Sequence, residues 1–197
     1  MTFGQECTCT GNIHYRSACF SYGGMEEKMY IRQENAKDHR EVYGLIKEAF
    51  ASAEHADGNE QDLVDALRKG EAFIPELSLV AVSDEKIVGH ILFTKAKVGN
   101  EEVLVLAPLS VRAGYPRHRI GKALIREVHR IAKELGYRYA LVLGSETYYP
   151  QCGYVFAGQF GIEIPEGMPP ENFMAVRLQE HAGPVKGKVI YAEEFGL

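Results

Sequence analysis

Apolar residues recur along this chain with two different periods, and the switches between them mark out the elements. Ile120, Leu124, Val128, Ile131 and Leu135 follow one another at spacings of four, four, three and four residues, which lays one apolar stripe along a helix that Gly136 would stop. Val42, Leu45, Ile46, Ala49 and Phe50 make a second stripe, with Asn35 or Asp38 available as its cap. Leu63, Val64 and Leu67 predict a third, shorter helix ended by Gly70. The run MYIRQ (29–33) reads as a first strand. LSLVAV, IVGHILFTKAKV and residues 103–111, separated by turns at 83–86 and 99–102, read together as an antiparallel meander.

The last strand of that meander is almost wholly apolar, as expected of a strand covered on both faces, yet it contains Pro108, which cannot donate to a ladder. A bulge or a splayed edge is expected there. Beyond the long helix, YALVL is a buried strand, and the helical crossover makes it parallel to the Pro108 strand. A short helix is expected over 146–151. Strand-like runs follow at VFAG, FGIEIP, MAVRL and KVIYAEEF. Residues 1–24 show neither period and read as an extension outside the core, which leaves 25–197 as a single domain.

The 197 residues are 46% hydrophobic and 25% charged, ordinary for one soluble domain with a sizeable core. A net charge of -5 argues against general attraction to nucleic acid or membrane. No apolar run approaches the roughly 20 residues of a membrane span, and the N-terminus lacks the apolar core of a secretory signal, so cytoplasmic residence is the default. Of the four cysteines, Cys7, Cys9 and Cys19 crowd near His14 and Cys152 stands apart. A zinc site is conceivable there, but the paired spacing of structural sites is missing, and free thiols are the favoured account, with no metal.

Charge is local. From Arg112 to Lys133, seven Lys or Arg face the single acid Glu127, a net of +6 against -11 for all other residues. This basic stretch opens at a strand-to-helix turn, where unpaired backbone N–H groups and the helix dipole suit an anion. DNA binding through the same helix is disfavoured, because the apolar stripe requires it to pack and no second recognition element is evident.

The order strand, anion-facing turn, helix, strand, with APLSV before the turn, IGKALI opening the helix and LVLGSETYYPQCGY after it, resembles the acetyl-coenzyme A binding core of the GNAT N-acetyltransferases, most closely their YhbS-like branch. The resemblance covers residues 29–197. It implies an α/β (α+β) fold: a mixed, mostly antiparallel central sheet with flanking helices, in which two splayed strands form a coenzyme A cleft. The family's turn carries Gln or Arg, two residues, Gly, one residue, then Gly or Ala; here Pro116, Arg119 and Gly121 hold those places, so only the last agrees. By the resemblance, Arg117, His118, Arg119, Ile120, Gly121 and Lys122 receive the pyrophosphate of acetyl-CoA, and the backbone of Leu109, Ser110 and Val111 pairs with its pantetheine arm.

The resemblance also makes Tyr149, four residues before Gly153, the general acid for the departing thiolate. The chemistry is reasonable, since a phenol near pKa 10 held within hydrogen-bond reach can protonate a thiolate near 8.5. Its neighbour Tyr148 reads as a packing residue. The general base stays open among Glu54, His55, His90, Glu101, Glu102 and Glu146. The loop AEHADGN (53–59) resembles the family's variable acceptor-binding loop. The expected activity is acetyl transfer from acetyl-CoA to a small-molecule or peptide amine, with homodimerisation left open and a non-catalytic acyl-coenzyme A sensor as the rival.

Overall fold

The computed structural model describes residues 16–22, 25–51 and 58–196. One nine-stranded sheet organises them. Its strands are β1 (Arg16–Tyr22), β2 (Met25–Gln33), β3 (Phe73–Ser83), β4 (Lys86–Val98), β5 (Glu101–Val111), β6 (Tyr139–Leu143), β7 (Val155–Phe156), β8 (Phe173–Arg177) and β9 (Val189–Ile190). They lie in the order β1-β2-β3-β4-β5-β6-β8-β7, with β9 paired to β4 off that path. The helices are α1 (His39–Phe50), α2 (Glu60–Leu67) and α3 (Arg117–Glu134). Only β5 and β6 run parallel, as the α3 crossover requires; the other pairings are antiparallel.

Two apolar layers sandwich the sheet. Val42, Leu45 and Ile46 of α1 and Val64 and Leu67 of α2 cover one face, against Val80, Val82 and Leu92. On the other, Ile120, Leu124, Ile125 and Val128 of α3 pack on Leu79, Ile91 and Leu104. Gly89 of β4 allows the close approach: a Cβ there would lie 2.8 Å from Ile120 Cγ2 and 3.0 Å from Leu124 Cδ1. The predicted stripe on α3 holds for four of its five positions, and Leu135 departs from it, 47% exposed just past the helix end. Termination explains this, since Gly136 at φ 89° accompanies Tyr137 N–H donation to the Ala132 carbonyl (3.0 Å) and Gly136 N–H donation to Lys133 (3.1 Å). That Schellman pattern lifts Leu135 off the stripe's face.

Four local expectations need correction. Residues 16–22, read as part of an extension without regular structure, form β1 and pair with β2 from Arg16↔Ile31 to Tyr22↔Met25. Ala18, Phe20 and Tyr22 do alternate with Ser17, Cys19 and Ser21, a period of two too short and too weakly apolar to stand out. Residues 146–151 give a 3-10 turn at Tyr149–Cys152 instead of a helix. FGIEIP contributes a 3-10 turn and a single bridge, Ile162↔Gly187, rather than a strand. Finally, Asp38 does precede α1, but its carboxylate makes no cap bond; it accepts from Arg32 and from the Asn35 N–H (2.8 Å) instead.

Candidate active site

The strands β5 and β6 pair only at Leu104↔Ala140 and Val105↔Leu141. Past that point they separate. The register between β4 and β5 shifts between Ile91 and Phe93, opposite the cis Ala107–Pro108 peptide, so the bulge expected at Pro108 is present. Pairing with β4 then resumes through Ile91↔Leu109, His90↔Ser110 and Gly89↔Val111. The opposite edge of β5, from Leu106 to Val111, therefore faces a gap. Leu109 and Val111 belong to the apolar layer under α3. Ser110, between them and 2% exposed, turns to the other face, where its Oγ has no hydrogen-bond partner among the described residues.

Above the gap stands the start of α3. Pro116 caps it with non-helical backbone (φ -70°, ψ 87°), and the first turn holds no acid. The Pro116 carbonyl accepts from the Arg119 N–H (3.0 Å) and the Ile120 N–H (3.1 Å). Gly121 and Lys122 donate within the helix, so the run of amides expected over 117–122 narrows to the first two, Arg117 and His118. Of the side chains, Arg119 is exposed, Ile120 is buried in the core, and Lys122 donates to Gln151 Oε1 (2.7 Å). The side chains of Arg117 and His118 lie outside the described residues. Part of the basic excess is already engaged: Arg112 pairs with Glu48 and Arg130 with Glu127 and Glu134.

The third component is the turn that follows β6. Asn172 holds Gly144, accepting its N–H through the backbone carbonyl (2.9 Å) and donating from Nδ2 to its carbonyl (2.9 Å). Ser145 then caps the turn, accepting from the Tyr148 and Tyr149 N–H groups, both at 3.2 Å. The two tyrosine rings meet edge to face, 5.2 Å apart at 89°, and Tyr149 meets Tyr154 in the same way at 5.6 Å. Tyr154 Oη and His129 Nε2 are 2.8 Å apart. Tyr149 lies over Gly144, where a Cβ would come within 2.4 Å of its Cε2, and burial pushes its pKa up. Tyr148 points elsewhere. Its Oη would be 2.2 Å from a Cβ on Gly121, which would also sit 3.5 Å from Leu109 Cδ2.

Thus Leu109, Gly121 and Tyr148 meet beside the unpaired β5 edge, and Tyr149 adjoins them through the Tyr148 ring. Tyr148, read from sequence as packing, does pack against the core and also brings its hydroxyl to Gly121 near the start of α3; adjacent residues entering a 3-10 turn diverge by about a third of a revolution. None of the described candidates for the base joins them. Glu101 is held by Arg138, Glu102 is exposed, and both begin β5, roughly 23–26 Å along the strand from Leu109. Glu146 accepts from Asn172 Nδ2 at 3.1 Å. Glu54 and His55 lie outside the described residues, as do Cys7, Cys9 and His14.

His90 is fully buried on the α1/α2 face, within a knot that sequence reading missed. Glu34 pairs there with Arg68, Ser78 Oγ donates to Glu34 Oε2 (2.6 Å), and His90 Nε2 lies 3.3 Å from Ser78 Oγ. Burial pushes the Glu34 carboxyl up, but the hydrogen bonds from His90, Ser78 and Arg68 outweigh it and hold the group at about 2. Burial likewise pushes the His90 imidazole down, beyond what Glu34 restores.

The sequence model of the acetyltransferase (GNAT) family matches residues 39–154. The uncharacterized N-acetyltransferase YjhQ of Escherichia coli (strain K12) is 37% identical over 147 residues, 70% of this chain and 75% of the relative. Among solved structures, the GNAT family N-acetyltransferase YhbS of Escherichia coli, in complex with CoA, superposes with a TM-score of 0.78 at 26% identity, covering 90% of this chain and 97% of that one. A GNAT family acetyltransferase of Brucella melitensis, in complex with acetyl-CoA, gives 0.71 at 29% identity over 85% of this chain and 97% of its own. The chain belongs to the GNAT acetyltransferase family. Its class is accordingly that of an acetyl-CoA-dependent acyltransferase, with acetyl-CoA as co-substrate.

Proposed function

We propose that the protein acetylates a primary amine, carried by a small molecule or a peptide, by direct attack of the amine on acetyl-CoA. The observation that carries this reading is the meeting, at one gap, of the unpaired β5 edge, the acid-free start of α3 and the Tyr148–Tyr149 turn. The backbone of Leu109, Ser110 and Val111 takes the pantetheine arm as a sheet edge takes an added strand. The first turn of α3 takes the pyrophosphate, its Arg117 and His118 amides and the helix dipole favouring an anion. Exposed Arg119, in place of the family's Gly, adds charge-assisted bonds to phosphate. Ile120 anchors the turn to the core, Gly121 leaves room beneath it, and Lys122 adds positive charge.

Acetyl-CoA supplies an activated acyl group: the amine nitrogen bonds to the acetyl carbon, and the carbon–sulfur bond breaks. Tyr149 gives its phenolic proton to the departing sulfur and regains one from solvent, to which the amine's proton is released. Holding amine and acyl donor side by side supplies much of the rate. The loop 53–59, between α1 and α2, receives the acceptor. Residues 25–197 form the catalytic unit in this reading, 1–24 are an addition to it, and the protein works in the cytoplasm; among the described residues no helix is long and apolar enough to cross a membrane.

The test is a panel of small primary amines and short peptides incubated with the full chain and acetyl-CoA, following free thiol and the mass of the acceptor. Thiol release that depends on an amine, with a matching gain of one acetyl group, is expected. Acetyl-CoA binding without amine-dependent release from any acceptor would overturn the proposed reaction.

A further inference from the structure

Nothing in the family's turn pattern calls for a hydroxyl at Tyr148, yet the fold sets that hydroxyl against the first turns of α3. Only the missing side chain of Gly121 allows this, because a Cβ there would lie 2.2 Å from Oη, far inside contact distance. The same point is bordered by Leu109 of the β5 edge. Its ring is fixed in turn by the perpendicular Tyr149 ring and by a 3-10 turn tied to α3 through Lys122 and Gln151. A phenol this well held, at the junction of sheet edge and helix start, stands where a ligand lying along both must pass. The turn also offers fewer donors than a glycine-rich one: Pro116 has no N–H, and its carbonyl occupies the amides of Arg119 and Ile120.

We infer that the Tyr148 hydroxyl is a coenzyme-binding group, donating a hydrogen bond to an oxygen of acetyl-CoA where the pantetheine arm meets the pyrophosphate, in place of a backbone amide that this turn lacks. The inference rests on the proposed placement of acetyl-CoA in the β5–β6 gap. It divides labour between adjacent tyrosines: Tyr148 holds the coenzyme and Tyr149 serves the chemistry. Burial raises the Tyr148 pKa to about 12, so the group is a donor throughout the working pH range.

Tyr148→Phe should weaken acetyl-CoA binding about fivefold to twentyfold, the range for losing one bond to a neutral or charged acceptor. The loss should appear in KM for acetyl-CoA far more than in kcat, with the melting temperature nearly unchanged. The contact itself is checked without ligand. Gly121→Ala should lower the melting temperature by several degrees, and adding Tyr148→Phe should restore most of it, because the ring carbon Cζ would sit at a tolerable 3.4 Å once Oη is gone. Acetyl-pantetheine tells the two oxygens apart: an equal loss for it places the acceptor on the pantetheine arm, and no loss places it on the pyrophosphate. A parent that binds acetyl-CoA and a Tyr148→Phe variant that binds it equally well would overturn this inference alone. A parent with no affinity for acetyl-CoA would overturn the proposed function and this inference together.

Discussion

The neighbouring tyrosines 148 and 149 differ in direction, and that difference decides what each can do. Tyr149 is packed over Gly144 and edge-on to Tyr154, and its burial keeps the phenol protonated well above pH 9. Tyr149→Phe removes a proton donor and little volume. It should lower kcat by about tenfold to a thousandfold while the affinity for acetyl-CoA stays close to the parent's. Because burial disfavours the phenolate, kcat of the parent should show no fall between pH 7 and about 10. A fall centred below pH 9 that Tyr149→Phe abolished would contradict this placement. From sequence, the family resemblance singled out Tyr149 by its place before Gly153, but the direction of Tyr148 was illegible, since it depends on which residue of α3 lacks a side chain.

Elements lock together through a second set of residues that no periodicity reveals. Glu34 follows β2, Arg68 follows α2, and Ser78 and His90 belong to β3 and β4; only sheet register and the docking of α2 bring them together. With side-chain exposures of 2% for Glu34 and 6% for Arg68, removing one partner leaves a buried charge. Arg68→Met should therefore destabilise the fold by about 3–5 kcal/mol, and Glu34→Gln added to it should recover part of that loss. The pH dependence has a definite sign. Glu34 is held at about 2 when folded, against 4.5 unperturbed, so its stabilisation is complete above pH 4.5 and is lost as pH falls toward 2. His90, depressed by burial, adds to the loss, because below about pH 6.5 the unfolded chain takes up a proton that the folded one refuses. Melting temperature should fall steadily from pH 6.5 to 3, and less steeply from 4.5 down in the Glu34→Gln/Arg68→Met variant. A flat profile would contradict the knot's role. By contrast, α1, α2 and α3 were legible from apolar stripes at the helical period, and β3 to β6 from apolar runs bounded by turns. The order after residue 154 was not, because strands of two residues and 3-10 turns carry no period.

Over the whole molecule, charge and sheet geometry converge on one place. The chain is acidic overall, yet a net of +6 lies between Arg112 and Lys133, and with Arg112 and Arg130 drawn into ion pairs the remaining positive charge lies toward the start of α3. That start stands over the only parallel pairing among the described strands, just where it opens. The central claim is that acetyl-CoA occupies this opening. Amide hydrogen exchange with and without acetyl-CoA tests it most directly, since a ligand paired along a strand edge and a helix start slows exchange at those amides. Peptides covering residues 106–111 and 117–122 should gain protection at saturating acetyl-CoA, while those covering β1, β2 and α2 stay unchanged. Protection absent from both segments, or confined to the cavity lined by Val98, Asn100, Glu101, Arg138 and Gly183–Lys186 at the other end of β5, would contradict it.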